Sequence, residues 1–382
     1  MRIIFSFMII LALALPASQA SAMDYIKGLL NWGKNKIEQD ETDNSLATQH
    51  IEEFNAEAKV VQKTYFEQEP ISFELRLPSS WEYLTADQSS PPNVDSRLLK
   101  TIDIYRGPVI VGGDRPLLKI QAIALEHEIL AEHWLQNFIF ENGYTQEGEM
   151  INSSENESQI YFIHLEKGVS YKSVMKAYIV GSRLLAVRYD APVVAGEKFY
   201  NYGLEILKSF KITDFTPSAI EDMTDYTFQK SFKFSYPVSW TIQNSAMKDP
   251  NKKQFELQNI DKAENIKGMI RFVFYNKTGN KDIEDVVAQL KTSIETSHSL
   301  RIEKLSANAP LNVGLLFDTA YIEKYDVGFT NTRHNNYELW ISALESDDWN
   351  TFIYLLTPKK EIDYYEWARN TRAFDLILHS IN

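Results

Sequence analysis

"FELRLPSSW" (Phe73–Trp81) and "FKFSYPVSW" (Phe232–Trp240) are nearly the same nine-residue phrase, written twice in one chain. In the first, Phe73, Leu75 and Leu77 alternate with Glu74 and Arg76, the period-two pattern of a half-buried strand. In the second, Phe232, Phe234 and Tyr236 alternate with Lys233 and Ser235 in the same phase. Each run stops at a proline, Pro78 or Pro237, which has no N–H to offer a sheet ladder. Three residues after each proline stands a tryptophan, Trp81 or Trp240, a side chain large enough to pin the turn onto a core.

Echoes follow at similar separation. The strand-like "RLLAVRYDAP" (Arg183–Pro192) finds a partner in "TFIYLLTP" (Thr351–Pro358), and "EILAEHWLQNF" from Glu128 finds one in "DIEDVVAQLKT" from Asp282. Two tyrosine-bearing segments, "GEKFYNYGLEILKSF" from Gly196 and "KEIDYYEWARNTRAFDLILHSI" from Lys360, read as closing helices. Tyr200, Leu204 and Leu207 share a face in one, and Trp367, Phe374 and Leu378 share a face in the other. A shared order of elements at a shared period is the signature of an internal duplication.

These residues resemble the PsbP-like family, which includes Mog-type and DcrB-like proteins. The resemblance rests on the alternating aromatic strand into Pro-x-x-Trp and on the helix endings "ILKSF" (Ile206–Phe210) and "ILHSI" (Ile377–Ile381). It implies an α+β fold in two tandem domains, each an antiparallel β-sheet packed with α-helices; the residues ahead of them read, by their own pattern, as a signal peptide and a helical leader. The expected divisions are a signal peptide over 1–22, a leader over 23–63, a first PsbP-like domain over 64–212, a linker over 213–226 and a second domain over 227–382. The resemblance also implies a non-enzymatic adaptor or assembly factor and transfers no active site. Phe73, Pro78, Trp81, Phe232, Pro237 and Trp240 are expected to be structural. No lipobox cysteine is present, a departure from the DcrB-like lipoproteins.

The first segment carries one basic residue, Arg2, then an apolar run from Ile3 to Leu15, then Pro16 and the small residues Ala20, Ser21 and Ala22. That order is a secretory signal, with cleavage after Ala22, and the run falls short of the roughly 20 residues a spanning helix needs. In the leader, Tyr25, Ile26, Leu29, Leu30, Trp32 and Ile37 form a rough helical stripe, and a second helical stretch is expected near Ile51 to Tyr65. The leader reads either as a mobile arm or a helix folded back on the first domain, or as a docking or peripheral membrane-surface helix with a weak basic bias and Trp32 as the candidate partner anchor. The chain holds no cysteine, which excludes disulfides, thiolate metal sites and a cysteine nucleophile. An exported chain of this length without cystines points to a bacterial envelope or secreted protein.

Composition is globular, with 44% hydrophobic and 24% charged residues, and the formal charge of -13 opposes binding to nucleic acid. Chemistry-bearing motifs are sparse. His127 and His133 are six residues apart, so on a helix they face different ways, unlike a zinc pair at i and i+4. "GPVIVGGDRP" (Gly107–Pro116) lacks the lysine of a phosphate cradle and reads as a hairpin turn. The acidic clusters "SDDW" (Ser346–Trp349) and "NKDIED" (Asn280–Asp285) lack calcium-loop spacing and suit a turn and a helix start. No cofactor is expected.

The leading expectation is an exported, non-enzymatic binding or assembly protein of the bacterial envelope with a protein partner, periplasmic or secreted. Alternatives are a hydrolase or other enzyme with an unrecognised site in the cleft between the copies, and a secreted effector that binds a host protein. The polar linker allows relative domain motion, although Phe215, Ile220 and Tyr226 are available to pack across the interface.

Overall fold

The computed structural model describes residues 46–85, 99–110, 112–228, 232–244, 252–277, 283–311, 317, 319–331, 334–346 and 349–381. The signal peptide, most of the leader with Trp32, and residues 347–348 and 280–282 of the acidic clusters lie outside the described residues.

Two α+β domains follow one another. The first opens with a helix over 46–57 (α1), whose Phe54 is buried in the core. The chain then turns into a strand, Ala58–Tyr65 (β1), where the sequence pattern had suggested helix. Two adjacent β-branched residues, Val60 and Val61, favour the pleated surface, and β1 pairs along its whole length with Ile71–Pro78 (β2). Strands Glu82–Thr85 (β3), Lys100–Arg106 (β4) and Leu117–Ala124 (β5) follow. Helix Ala131–Asn142 (α2) comes next, then Thr145–Gln146 (β6), Ile151–Ser154 (β7), Glu157–Glu166 (β8), Val169–Val180 (β9) and Arg183–Pro192 (β10). Helix Gly196–Ser209 (α3) and strand Lys211–Phe215 (β11) close this half.

The second half repeats the scheme. A hairpin of Met223–Phe228 (β12) and Phe232–Pro237 (β13) leads to Trp240–Asn244 (β14), Lys252–Ile260 (β15) and Ile266–Asn276 (β16). Helix Ile283–His298 (α4) precedes strands Leu300–Pro310 (β17), Thr319–Phe329 (β18), Tyr337–Glu345 (β19) and Trp349–Pro358 (β20), and helix Tyr364–Ser380 (α5) follows. The main sheets run β3-β4-β5-β10-β9-β8-β6 and β14-β15-β16-β20-β19-β18-β17, the same order strand for strand. The internal echoes of the sequence therefore occupy equivalent places. β10 and β20 are inner strands buried on both faces, which is why each reads as a nearly continuous apolar run.

Each sheet is covered on both sides. In the first domain Leu185, Val187 and Tyr189 face α3 and the β1–β2 hairpin, while Leu184 and Ala186 join the cluster under α2. In the second, Ile353 and Leu355 face α5 and the β12–β13 hairpin, and Phe352 and Tyr354 face α4. The repeated motif residues sit at matching points. Phe73 is buried in β2 while its counterpart Phe232 is half-buried in β13, Pro78 and Pro237 end those strands, and Trp81 and Trp240 are buried just beyond the turns. Trp81 stacks on Tyr189 with ring centroids 6.0 Å apart.

The closing helices explain the repeated "S" of their endings. Ser209 Oγ accepts the Arg76 N–H at 2.9 Å, and Ser380 Oγ accepts the Ser235 N–H at 2.8 Å. Arg76 and Ser235 hold the same position in the two nine-residue phrases. One side chain thus ties the helix end to the hairpin strand in both copies.

Candidate functional site

Three places in the fold gather polar or exposed groups, and they are built differently. The first is the space between the two copies. Helix α5 is apolar on two faces: Phe374, Ile377 and Leu378 pack on its own sheet, whereas Ala368 belongs to the apolar cluster under α2, joined by Tyr364, Tyr365 and Trp367. His133 of α2 meets the edges of Tyr364 and Trp367 at centroid distances of 6.2 and 5.1 Å. Burial, with the Arg372 charge adding to it, pushes the His133 pKa down to about 4.

Charged groups fasten the same seam. Arg372 of α5 reaches Glu155 of the first domain at 2.9 Å and Glu128 at 3.9 Å. Glu221, in the segment that joins the copies, accepts the Glu128 N–H at 3.1 Å and the Ser239 N–H at 3.3 Å. Burial alone would raise the Glu221 pKa. His127, the Glu128 amide and the Ser239 side chain outweigh it and hold the carboxyl below its usual range. The connecting segment is fixed further by Ile220, which packs under α2, and by Tyr226, whose ring lies 5.6 Å from Phe234. Phe215 stays exposed. The cleft expected between the copies is occupied by packed side chains.

The second place is a buried ring of polar groups on the α2 side of the first sheet, beyond the C-terminal end of α2. Alternation along β10 puts Arg188 and Asp190 on one face, with Ser173 of β9 and His164 of β8 beside them. Arg188 Nε donates to Asp190 Oδ1 at 2.7 Å, and the Ser173 hydroxyl donates to the same oxygen at 2.7 Å. His164 Nε2 stands 2.9 Å from Arg188 Nη2, which can only donate, so that nitrogen accepts and the imidazole is neutral. The other nitrogen, Nδ1, then donates to Ser173 Oγ at 3.2 Å and closes the ring. Burial, followed by the Arg188 charge, lowers the His164 pKa in agreement with that assignment. Lys119 Nζ lies 3.2 Å from Asp190. Burial alone would raise the Asp190 pKa, but the Arg188 and Lys119 charges hold it low.

A serine, a histidine and an aspartate together invite comparison with a nucleophilic triad, but the wiring differs. The hydroxyl proton goes to the carboxylate, the imidazole donates rather than accepts, and Ser173 and Asp190 are 0% and 1% exposed. The ring closes on itself across strands β8, β9 and β10, and the remaining Asp190 oxygen, Oδ2, faces Lys119. The sequence signal for it was the Arg-x-Asp spacing inside "AVRYDAP" (Ala186–Pro192), read only as a strand.

The third place is the outer face of the hairpin sheet. In the first copy β11 adds to β2, giving the order β1-β2-β11. Two open hollows of ≈ 360 and ≈ 350 Å³ border this sheet. The first is lined by Val60, Arg76, Glu205, Lys208 and Lys211 among others, and the second by Lys63, Thr64, Ser72 and Asp214 among others. Val60 is 59% exposed. The mixed charge and shallow shape resemble a rim for protein contact more than a small-molecule cavity, which is deeper and mostly apolar.

Among the described residues no group of three or more His, Asp or Glu side chains is placed to hold a metal ion. His127 and His133 are apart, one near Glu221 and the other in the seam. Gly107 and Pro116 flank the β4–β5 connection, with the Gly107 N–H donating to the Pro116 carbonyl at 2.8 Å. No helix among the described residues is long and apolar enough to cross a membrane.

No family model matches the chain, and no curated protein matches it. Among solved structures it is similar to cyanobacterial PsbP (CyanoP) from Synechocystis sp. PCC 6803, at a TM-score of 0.33 and 16% identity, covering 43% of this chain and 94% of that one. It is also similar to LpqN, described as involved in cell envelope biogenesis of Mycobacterium tuberculosis, at a TM-score of 0.31 and 15% identity, covering 41% of this chain and 92% of that one. The immunity protein TplEi of the T6SS from Pseudomonas aeruginosa, complexed with an "L" peptide, covers 84% of this chain and 97% of its own at a TM-score of 0.21 and 11% identity.

Proposed function

We propose that the chain is an exported, non-enzymatic binding or assembly protein of the bacterial envelope. In this reading two PsbP-like modules act through protein–protein contacts on their outer surface. The observation that supports it is where open space lies. Tyr364, Trp367 and Ala368 fill the room between the modules, while the hollows beside Val60, Lys208 and Asp214 open outward on the hairpin sheet. A seam that fixes both modules in one body presents those outer surfaces in a constant relation, which lowers the ordering cost of a shared partner.

Site-specific photo-crosslinking in native cells tests this reading. A crosslinker at Val60 or Lys208, both well exposed, should trap one defined protein in the envelope fraction. The same group at Ile266, also exposed, should trap none. Equal labelling from all three positions, or no adduct from any, sinks the proposal.

A further inference from the structure

The two copies differ at one structural joint. In the first, β2 is a middle strand, with β1 on one side and β11 on the other. In the second, β13 has β12 on one side, and among the described residues no strand on the other. We propose that this edge of β13 receives an extended segment of a protein partner, added antiparallel in the register β11 uses in the first copy. The segment carries an acidic residue facing Lys233 and a β-branched apolar residue facing Phe232. The proposal rests on the surface-binding reading above and names its contact.

The superposition of the copies comes from the helix-end serines. Because Ser235 gives its N–H to Ser380 of α5, it turns away from β12. Backbone direction alternates along an antiparallel strand, so Lys233, two residues earlier, turns its N–H and C=O to the same side. That is the side on which Glu74, its counterpart in the first copy, meets Lys211 of β11, and the next pair there is Phe73 with Ile212.

Exposure agrees with a vacant position. Phe73 is 1% exposed, covered by Tyr65, Phe210 and the β11 strand, with ring centroids 5.9 and 5.1 Å away for the two aromatics. Its counterpart Phe232 is only half-buried, and Lys233 is exposed. A strand laid there would cover an aromatic ring and engage main-chain groups, the chemistry of strand addition.

Charge selects the occupant. In the first copy Lys211 of the added strand lies 3.3 Å from Glu74. In the second the receiving residue is Lys233, so the sign is inverted, and a copy of β11 itself would bring lysine against lysine. Opposite charges across a strand pair favour pairing and like charges oppose it. A lysine on an open edge also discourages indiscriminate pairing, which makes the partner's acidic residue the discriminating feature.

The test is an amide-resolved NMR titration of the full protein with two synthetic peptides copying residues 210–216, one unaltered and one carrying Lys211→Glu. The Lys211→Glu peptide should shift the Lys233 amide and its neighbours and bind roughly threefold to tenfold more tightly than the unaltered one. In a Lys233→Glu protein the preference should reverse. Lys233 is exposed, so that variant should keep the wild-type melting temperature. Equal affinity of the two peptides, shifts confined to other surfaces, no shift at Lys233 at the highest peptide concentration, or self-association through this edge each overturn the proposal. Crosslinks from Val60 with a silent β13 edge would remove this contact and leave the surface-binding reading standing.

Discussion

Acid should loosen the seam between the two copies, and His133 sets the expected size of the effect. Its ring is held among Tyr364, Trp367 and the Arg372 charge, with Glu132 3.6 Å away, and its pKa is depressed to about 4. When the copies separate or unfold, the imidazole returns to a value near 6.5. Above about pH 6.5 it is neutral in both states, and its contribution is fully present. As pH falls, the open state takes up a proton that the closed state refuses, so stability declines until the closed-state value is passed. A depression from 6.5 to about 4 corresponds to roughly 3 kcal/mol in total, of which about 2 kcal/mol falls between about pH 7 and pH 5. His164 and His298 are also depressed and act in the same direction, whereas the raised carboxyl of Glu128 acts against it. Urea unfolding of wild type and His133→Phe across that range separates the contribution. The variant should lose about 2 kcal/mol less than wild type from the neutral to the acidic end. Identical pH slopes for the two proteins would refute the account of the buried imidazole.

Other expectations follow from single contacts. Ser380→Ala should cost about 1 kcal/mol, as should Ser209→Ala, because each removes the partner of one strand N–H. Amide exchange should accelerate at Ser235 in the first variant and at Arg76 in the second. Gly203→Ala places a Cβ 2.2 Å from the buried Tyr189 ring, so overpacking should cost about 1–3 kcal/mol or more and lower the melting temperature. Arg188→Met leaves Asp190 buried with its main counter-charge gone and should destabilise the first domain by roughly 3–5 kcal/mol in chemical denaturation. If that variant melts like wild type, the polar ring does not hold β8, β9 and β10 together.

The α+β class and tandem plan were legible because strand alternation and proline stops are local properties, repeated in phase at Phe73–Pro78 and Phe232–Pro237. The inner strands were legible from their apolar runs. The β1 strand was not, since Ala58–Tyr65 carries a mixed pattern whose conformation is decided by pairing with β2. The Arg188 ring escaped for a related reason: its members come from β8, β9 and β10 and meet only through register. Likewise, the second apolar face of α5 looks like ordinary helical periodicity until Ala368 and Trp367 are placed against α2. The vacant edge of β13 had no sequence signature, because it shows only when the two sheets are compared.

Helix α5 is one element with duties in both halves of the chain, and this bears on the order of synthesis. His133 and Trp367 are separated by more than half the sequence, so the cluster around Trp134 emerges from the ribosome well before the helix that covers it. Until α5 is made, the first copy can close its own sheet but keeps that apolar flank open to water and to other chains. Contacts that span so much sequence form late and slowly, and an exposed flank in the interval is prone to aggregation. The nascent first copy therefore depends on the second for its finished surface, and a chain halted between the copies should be a substrate for chaperones although nearly all of its own strands are present.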